Sequence, residues 1–182
     1  GWCYPDGAMV TRRVFLAASG AAAAAARPKG LLIDAHIHLF AKDQRRFPFH
    51  PNAPYRPDPA ASPQDLEDYR EFVAEAGVDH AVVVHPEPYQ DDHSYLDHCF
   101  ANEPRPGFFK GTVLFDPIDP ATPGRMREMV ERHPDRIVAM RVHAMNAYGT
   151  PPATGGAIKD RDLADPRLRE VWKTAGDLGL AV

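Results

Sequence analysis

Cysteine is almost missing from this chain: there are two in 182 residues, Cys3 and Cys99. Met9 is the preferred start, so a chain beginning there keeps Cys99 alone and has no internal disulfide. Stability has to come from a packed core, and the length suits one domain or part of a larger one. Cys99 falls in a predicted helix, where a buried structural thiol explains it better than a nucleophile. Long apolar runs are missing as well. The weakly apolar stretch 16–26 is about half of the ~20 residues that cross a bilayer, so no permanent membrane anchor is expected. Nor is there a basic patch interleaved with aromatics. The 21 Lys and Arg are mixed with 25 Asp and Glu for a net charge of -4, an ordinary solvated surface with nothing to grip nucleic acid. A small molecule is left as the expected partner, and self-association stays open.

The N-terminus carries a different signal. Gly1 is not a start residue, and residues 1–8 are read as a non-native upstream extension. From Met9, the run Thr11-Arg12-Arg13-Val14-Phe15-Leu16 and the alanines behind it have the layout of a twin-arginine export signal. Residues 9–29 are therefore expected to be signal peptide and linker, with cleavage near Ala26 releasing a periplasmic or secreted chain. An alanine-rich tail with no targeting role is the alternative.

From residue 30 onward, strand-like and helix-like segments alternate, which is the signature of a parallel sheet with crossover helices. Strands are predicted at 31–35, 80–84, 111–115 and 137–142, with 180–182 opening a fifth. They are short apolar runs of the kind buried on both faces. Ser62-Pro63, Thr122-Pro123 and Asp165-Pro166 read as N-cap and first-turn proline, and Gly77 and Gly179 as C-terminal stops. Leu66, Tyr69, Val73 and Ala76 make one apolar stripe; Leu168, Val171, Trp172 and Ala175 make another. A helix is predicted over about 92–101, and a third carries Met126, Met129 and Val130 up to His133-Pro134. Four such units and the start of a fifth predict an α/β fold in which 30–182 is the N-terminal half of a (β/α)8 TIM barrel. An open flavodoxin-like sheet is the alternative.

In a barrel the loops after the strands build the active site, so chemistry is sought at strand C-termini. His36 and His38 follow the first predicted strand, His85, Glu87 and Tyr89 the second, Asp116 the third, and Arg141, His143 and Asn146 the fourth. Residues two apart on a strand share a face, so both imidazoles of His36-Ile37-His38 can converge on one point, the start of a divalent-metal site. Two strand-end histidines bonded only to nearby backbone would be the bland explanation. The stretch 47–57, rich in proline and aromatics, predicts an ordered functional loop after the first strand.

The run Leu32-Ile33-Asp34-Ala35-His36-Ile37-His38-Leu39-Phe40 resembles the first-strand motif of the amidohydrolase superfamily, within its amidohydrolase-2 branch. Arg46-Phe47-Pro48, Ala53-Pro54-Tyr55-Arg56-Pro57, Ala76-Gly77-Val78-Asp79 and Val82-Val83-Val84-His85-Pro86 are similar to the 2-pyrone-4,6-dicarboxylate lactonase-like group. So are Arg141 and the stretch 172–182. The resemblance implies that His36 and His38 are ligands of a divalent metal such as zinc, completed by a histidine and an aspartate expected beyond Val182. It also implies a metal-free option, in which the same histidines polarise a lactone carbonyl by hydrogen bonds. Arg141, His143, His85, Glu87 and Tyr55 become candidate substrate-binding residues.

Two departures bear on the substrate. Glu87 stands where the dicarboxylate lactonases carry a small hydroxyl residue, and Ala147 where a second arginine is expected. A carboxylate added and a cation lost both disfavour a dianion, which points to a neutral or mono-anionic lactone. The resemblance implies a hydrolase of lactones or related C-O or C-N bonds, inactive as this segment alone, and the twin-arginine pattern implies its export. A non-oxidative decarboxylase and a non-catalytic ligand-binding protein are the other readings.

Overall fold

A computed structural model of the chain describes residues 30–53, 55–58, 65–142 and 163–182. It divides the chain into an N-terminal unit, Gly1–Leu31, and a larger unit, Leu32–Val182. The expected export signal, Ser62-Pro63, His143, Asn146 and Ala147 lie outside the described residues.

Four strands, β1 (Ile33–Ile37), β2 (His80–Val84), β3 (Phe109–Leu114) and β4 (Ile137–Arg141), form one parallel sheet in the order β1-β2-β3-β4. Helices α1 (Leu66–Ala76), α2 (Ser94–Ala101) and α3 (Thr122–Arg132) lie in the crossovers, and α4 (Arg169–Asp177) follows β4. The predicted fifth strand begins where expected: Ala181 bridges Ala139 in parallel, with its amide bonded to the Val138 carbonyl at 3.0 Å. A flavodoxin-like sheet would reverse its strand order after the first strand. Here each strand neighbours the next in sequence, and the fold is that of the N-terminal half of a (β/α)8 barrel.

β1 departs from expectation in two ways. It is shifted downstream, so His36 lies within the strand and only His38 beyond it. It is also not buried on both faces: Ile33 is 52% exposed, because among the described residues β1 pairs on one edge alone, with β2. Asp34 is in register with Ala81 and Ile37 with Val83, so β1 takes three steps where β2 takes two. That extra residue is a bulge at the histidine motif, of the kind that re-aims a side chain. The Asp34 carboxylate supports it by accepting from the His36 amide (3.4 Å) and from the Tyr69 hydroxyl of α1 (3.2 Å).

The helix ends are partly as predicted. Gly77 closes α1 at φ 69°, with its amide on the Val73 carbonyl. The N-cap of α1 is Asp65, whose carboxylate accepts from the Asp68 amide at 2.9 Å. Thr122 does not cap α3; Ala121 holds that position, and the Thr122 hydroxyl donates to the Asp116 carbonyl at 2.5 Å. Asp165 does cap as predicted, although the turn it opens is a 3-10 segment, Pro166–Leu168, leading into α4. Phe108, Phe109, Val113, Phe115, Met126 and Met140 are fully buried around β3, the centre of the core. Among the described residues no helix is long and apolar enough to cross a membrane.

Candidate active site

The β1 bulge brings the two imidazoles together, with His36 Nε2 3.3 Å from His38 Nε2. His38 Nδ1 lies 2.7 Å from the Val84 carbonyl at the end of β2. A carbonyl oxygen only accepts, so the proton is on Nδ1 and the Nε2 lone pair is bare. Burial holds the His38 pKa below its ordinary value, with Arg141 and His36 acting in the same direction, so the ring is neutral at neutral pH. A neutral imidazole anchored through one nitrogen and open at the other is the form in which histidine binds metal. Two nitrogens on one tetrahedral ion stand ~3.3 Å apart, so the pair fits two positions of such a site. Among the described residues no third histidine, cysteine or carboxylate joins them.

Arg141 ends β4 and donates from Nη1 to the backbone carbonyl of His85 at 3.2 Å. Its charge acts on Glu87, Tyr55, His38 and His85, which places four of the expected site residues in one electrostatic neighbourhood. Glu87 is 7% exposed, and burial raises its carboxyl pKa against the pull of Arg141. Tyr55 is 39% exposed; burial raises its phenol, Arg141 lowers it and Glu87 raises it.

His85 is the residue whose placement differs most from expectation. Its ring does not face the mouth but is 1% exposed beneath it, with Nε2 donating to the Gln90 carbonyl at 2.9 Å. Its amide donates to Thr112 Oγ1 of β3, and its ring packs 4.3 Å from that of His93. Desolvation lowers its pKa to about 4. An imidazole one residue past a strand end is ambiguous in sequence, and here the inward rotamer is selected by the carbonyl that Gln90 presents.

Gln90, and the grouping of Phe40 and Phe49 with Tyr89, were not singled out in the sequence. Residues Glu87–Tyr89 form a 3-10 turn, and Gln90 ends it at φ 52°, a conformation costly for a non-glycine residue. Pro86 and Pro88 mark a turn, but nothing local marks Gln90. Phe40, Phe49 and Tyr89 form an aromatic wall beside His38, with the Phe49 and Tyr89 rings 5.1 Å apart and those of His38 and Phe40 6.3 Å apart. The long loop after β1 docks on the loop after β2: the His50 amide donates to the Pro88 carbonyl at 2.8 Å, and the Ala41 amide to the Tyr89 hydroxyl at 2.7 Å. Two clefts of about 250 and 240 Å³ lie elsewhere, one between α2 and α3 and one beside α1, and neither includes His36 or His38.

Residues 33–182 match the family model of the amidohydrolases. The chain belongs to the amidohydrolase family. Solved structures similar to this amidohydrolase chain include two proteins assigned as 2-pyrone-4,6-dicarboxylic acid hydrolases. The first, from Acinetobacter baumannii with citric acid bound, has a TM-score of 0.56 at 18% identity over 82% of this chain and 47% of its own. The second, from Pseudomonas putida, has a TM-score of 0.57 at 21% identity over 82% and 46%. A ligand-free protein of Agrobacterium tumefaciens has a TM-score of 0.50 at 23% identity over 67% and 40%. The chain thus spans less than half the length of these structures, and at these identities the likeness is one of fold. No curated protein sequence matches the chain. Amidohydrolases are generally dependent on a divalent metal.

Proposed function

We propose that this chain is the N-terminal half of an exported hydrolase that opens a neutral or mono-anionic lactone, or cleaves a related C-O or C-N bond. The observation that carries the reading is the His36–His38 pair, its nitrogens 3.3 Å apart and the His38 tautomer held by the Val84 carbonyl. These two residues would hold part of a divalent cation site, zinc being one of the ions that suit imidazole. The bound ion would polarise the scissile carbonyl and lower the pKa of a water. His38 keeps its Nδ1 proton on Val84 throughout and offers a lone pair at Nε2. Arg141 orients the substrate through the donors it does not spend on His85, and Tyr55 borders the same space. The aromatic wall of Phe40 and Phe49 excludes water from one side.

The substrate class follows from charge. Glu87 partly compensates Arg141, which leaves the mouth poorly suited to a dianion and better suited to a ring bearing hydroxyls. Export rests on the twin-arginine pattern at 9–29. The test is product analysis with the full-length protein and D-glucono-1,5-lactone as the first probe. Ring opening releases a proton and no carbon dioxide. Carbon dioxide evolution from a carboxylate substrate would instead make it a decarboxylase, and binding without turnover would remove the enzyme reading.

A further inference from the structure

Asp34, His36 and His38 are spaced two apart, so a regular strand would turn all three to one face of the sheet. The structure separates them. Asp34 is in register with Ala81, and Ala81 with Phe109. The Asp34 carboxylate receives the hydroxyl of Tyr69, whose ring lies 6.1 Å from that of Phe109, so Asp34 is on the face covered by α1. Ile37 continues that face: it is in register with Val83 and through it with Gly111, where a Cβ would meet Phe100 and Leu96 of α2. His38, the next residue, therefore lies on the opposite face, with its ring 4.9 Å from that of His36. The residue inserted between Asp34 and Ile37 is what moves the histidines across the sheet, because a shift of one residue exchanges the faces of everything beyond it. A bulge also takes main-chain groups out of the ladder. Here one carboxylate serves that segment: Oδ1 accepts from the His36 amide at 3.4 Å and Oδ2 from Tyr69 at 3.2 Å, and the Tyr69 ring is fully buried.

We propose that Asp34 is a positioning residue that ties the β1 bulge to Tyr69 of α1, and thereby presents His36 and His38 together on the face away from the helices, where a cation can take both. The proposal rests on the reading of the pair as part of a cation site. Asp34 touches neither the ion nor the substrate and acts through the main chain of His36. Without its carboxylate the inserted residue loses its hold, and the two imidazoles no longer share one fixed geometry.

Asp34→Ala removes both bonds, whereas asparagine keeps an oxygen for the His36 amide and an NH2 group that the Tyr69 hydroxyl can accept. Glu103→Ala serves as the control, since it weakens the fold at the Arg136 ion pair, away from the histidines. The experiment is calorimetric titration of the metal-free, full-length protein with zinc, together with nitrogen NMR of the histidine rings before zinc is added. The wild type is expected to show His38 as the Nδ1–H tautomer. Asp34→Ala is expected to bind zinc at least ~10-fold more weakly and to lose that signature, while Asp34→Asn stays within ~3-fold of the wild type and keeps it. Glu103→Ala is expected to match the wild type in both readouts, so a loss of stability alone moves neither. Tyr69→Phe, which keeps the buried ring and drops the hydroxyl, is expected to weaken zinc binding in the same direction, and it decides the matter if Asp34→Ala does not fold. Unchanged zinc binding in Asp34→Ala, or an equal loss in Glu103→Ala, overturns the proposal alone. If the wild type takes no zinc, the cation reading of the pair falls and the tautomer decides: a His38 signature unaltered by Asp34→Ala then overturns the proposal as well.

Discussion

His38 gives its Nδ1 proton to the Val84 carbonyl at 2.7 Å, which aims its bare Nε2 at His36. Replacing either histidine removes half of the pair, but the two sites differ in burial: His36 is exposed and His38 is part-buried with an interstrand bond. His36→Ala is expected to leave the thermal midpoint nearly unchanged, and His38→Ala to cost about 1 kcal/mol. Both are expected to lower kcat/KM for a turned-over lactone by at least ~100-fold. Thermal and urea unfolding, with steady-state kinetics, on the full-length protein check the two halves of this statement.

Acid should destabilise the fold well before carboxylates titrate. Unfolded His85 takes up a proton near its ordinary 6.5, whereas in the fold it resists protonation down to about 4. Between those values the unfolded chain binds the extra proton. The stability that depends on neutral His85 is therefore complete above pH 6.5 and declines as pH falls, the loss reaching about 3 kcal/mol by pH 4. His93 acts in the same direction, since burial lowers its pKa and its Nε2 must stay unprotonated to accept from the Leu114 amide at 3.0 Å. Urea midpoints between pH 7.5 and 4.5 should fall steeply in the wild type and less steeply in His85→Gln. Equal slopes would refute this.

The Glu103 carboxylate sits between α2 and β3 and is 8% exposed. It accepts from both terminal nitrogens of Arg136, at 2.6 and 2.7 Å, and from the amides of Gly107 and Phe109. Burial would raise its pKa, but these four donors outweigh it and hold the carboxyl below the ordinary range. Glu103→Ala strands a guanidinium and two amides, and a loss of about 3 kcal/mol is expected. Since the cluster lies away from the histidine pair, kcat/KM at a temperature where the variant is folded should be unchanged.

Gly111 in β3 is where α2 comes closest to the sheet. A Cβ there would stand 2.8 Å from the ring tip of Phe100 and 3.1 Å from a methyl of Leu96. Both partners are buried, so Gly111→Ala is expected to cost about 1–2 kcal/mol and Gly111→Val more. The double variant Gly111→Ala/Phe100→Leu, which shortens the opposing side chain, should regain part of that loss in chemical denaturation.

Glu87→Ser tests the substrate class. Removing the carboxylate that compensates Arg141 should raise kcat/KM for a dianionic lactone by about tenfold and lower it for a neutral one. A change of the same sign for both substrates would reject charge as the determinant.

The parallel sheet and its crossover helices were readable because each strand is a short apolar run and each helix has a stripe and a stop. Val82, Val83 and Val84, or Val73 four residues before Gly77, carry those signals locally. The family was readable from Leu32 to Phe40, a stretch that includes the β1 bulge and so carries the geometry of the site in consecutive residues. The inward turn of His85 was not readable. It depends on the Gln90 carbonyl and on Thr112 of the next strand, and no pattern near His85 reports either. The exposure of Ile33 also escaped, because hydrophobicity says that a side chain is suited to burial but not which neighbour covers it. His143 was read from sequence as a site residue and lies outside the described residues, so its expected role stays an expectation.

Metal content of the full-length protein, measured by mass spectrometry in the wild type and in His36→Ala/His38→Ala, tests the central claim most directly. The account predicts about one divalent ion per wild-type chain and less than a tenth of that in the double variant, with circular dichroism unchanged. Equal metal content in the two proteins would contradict it.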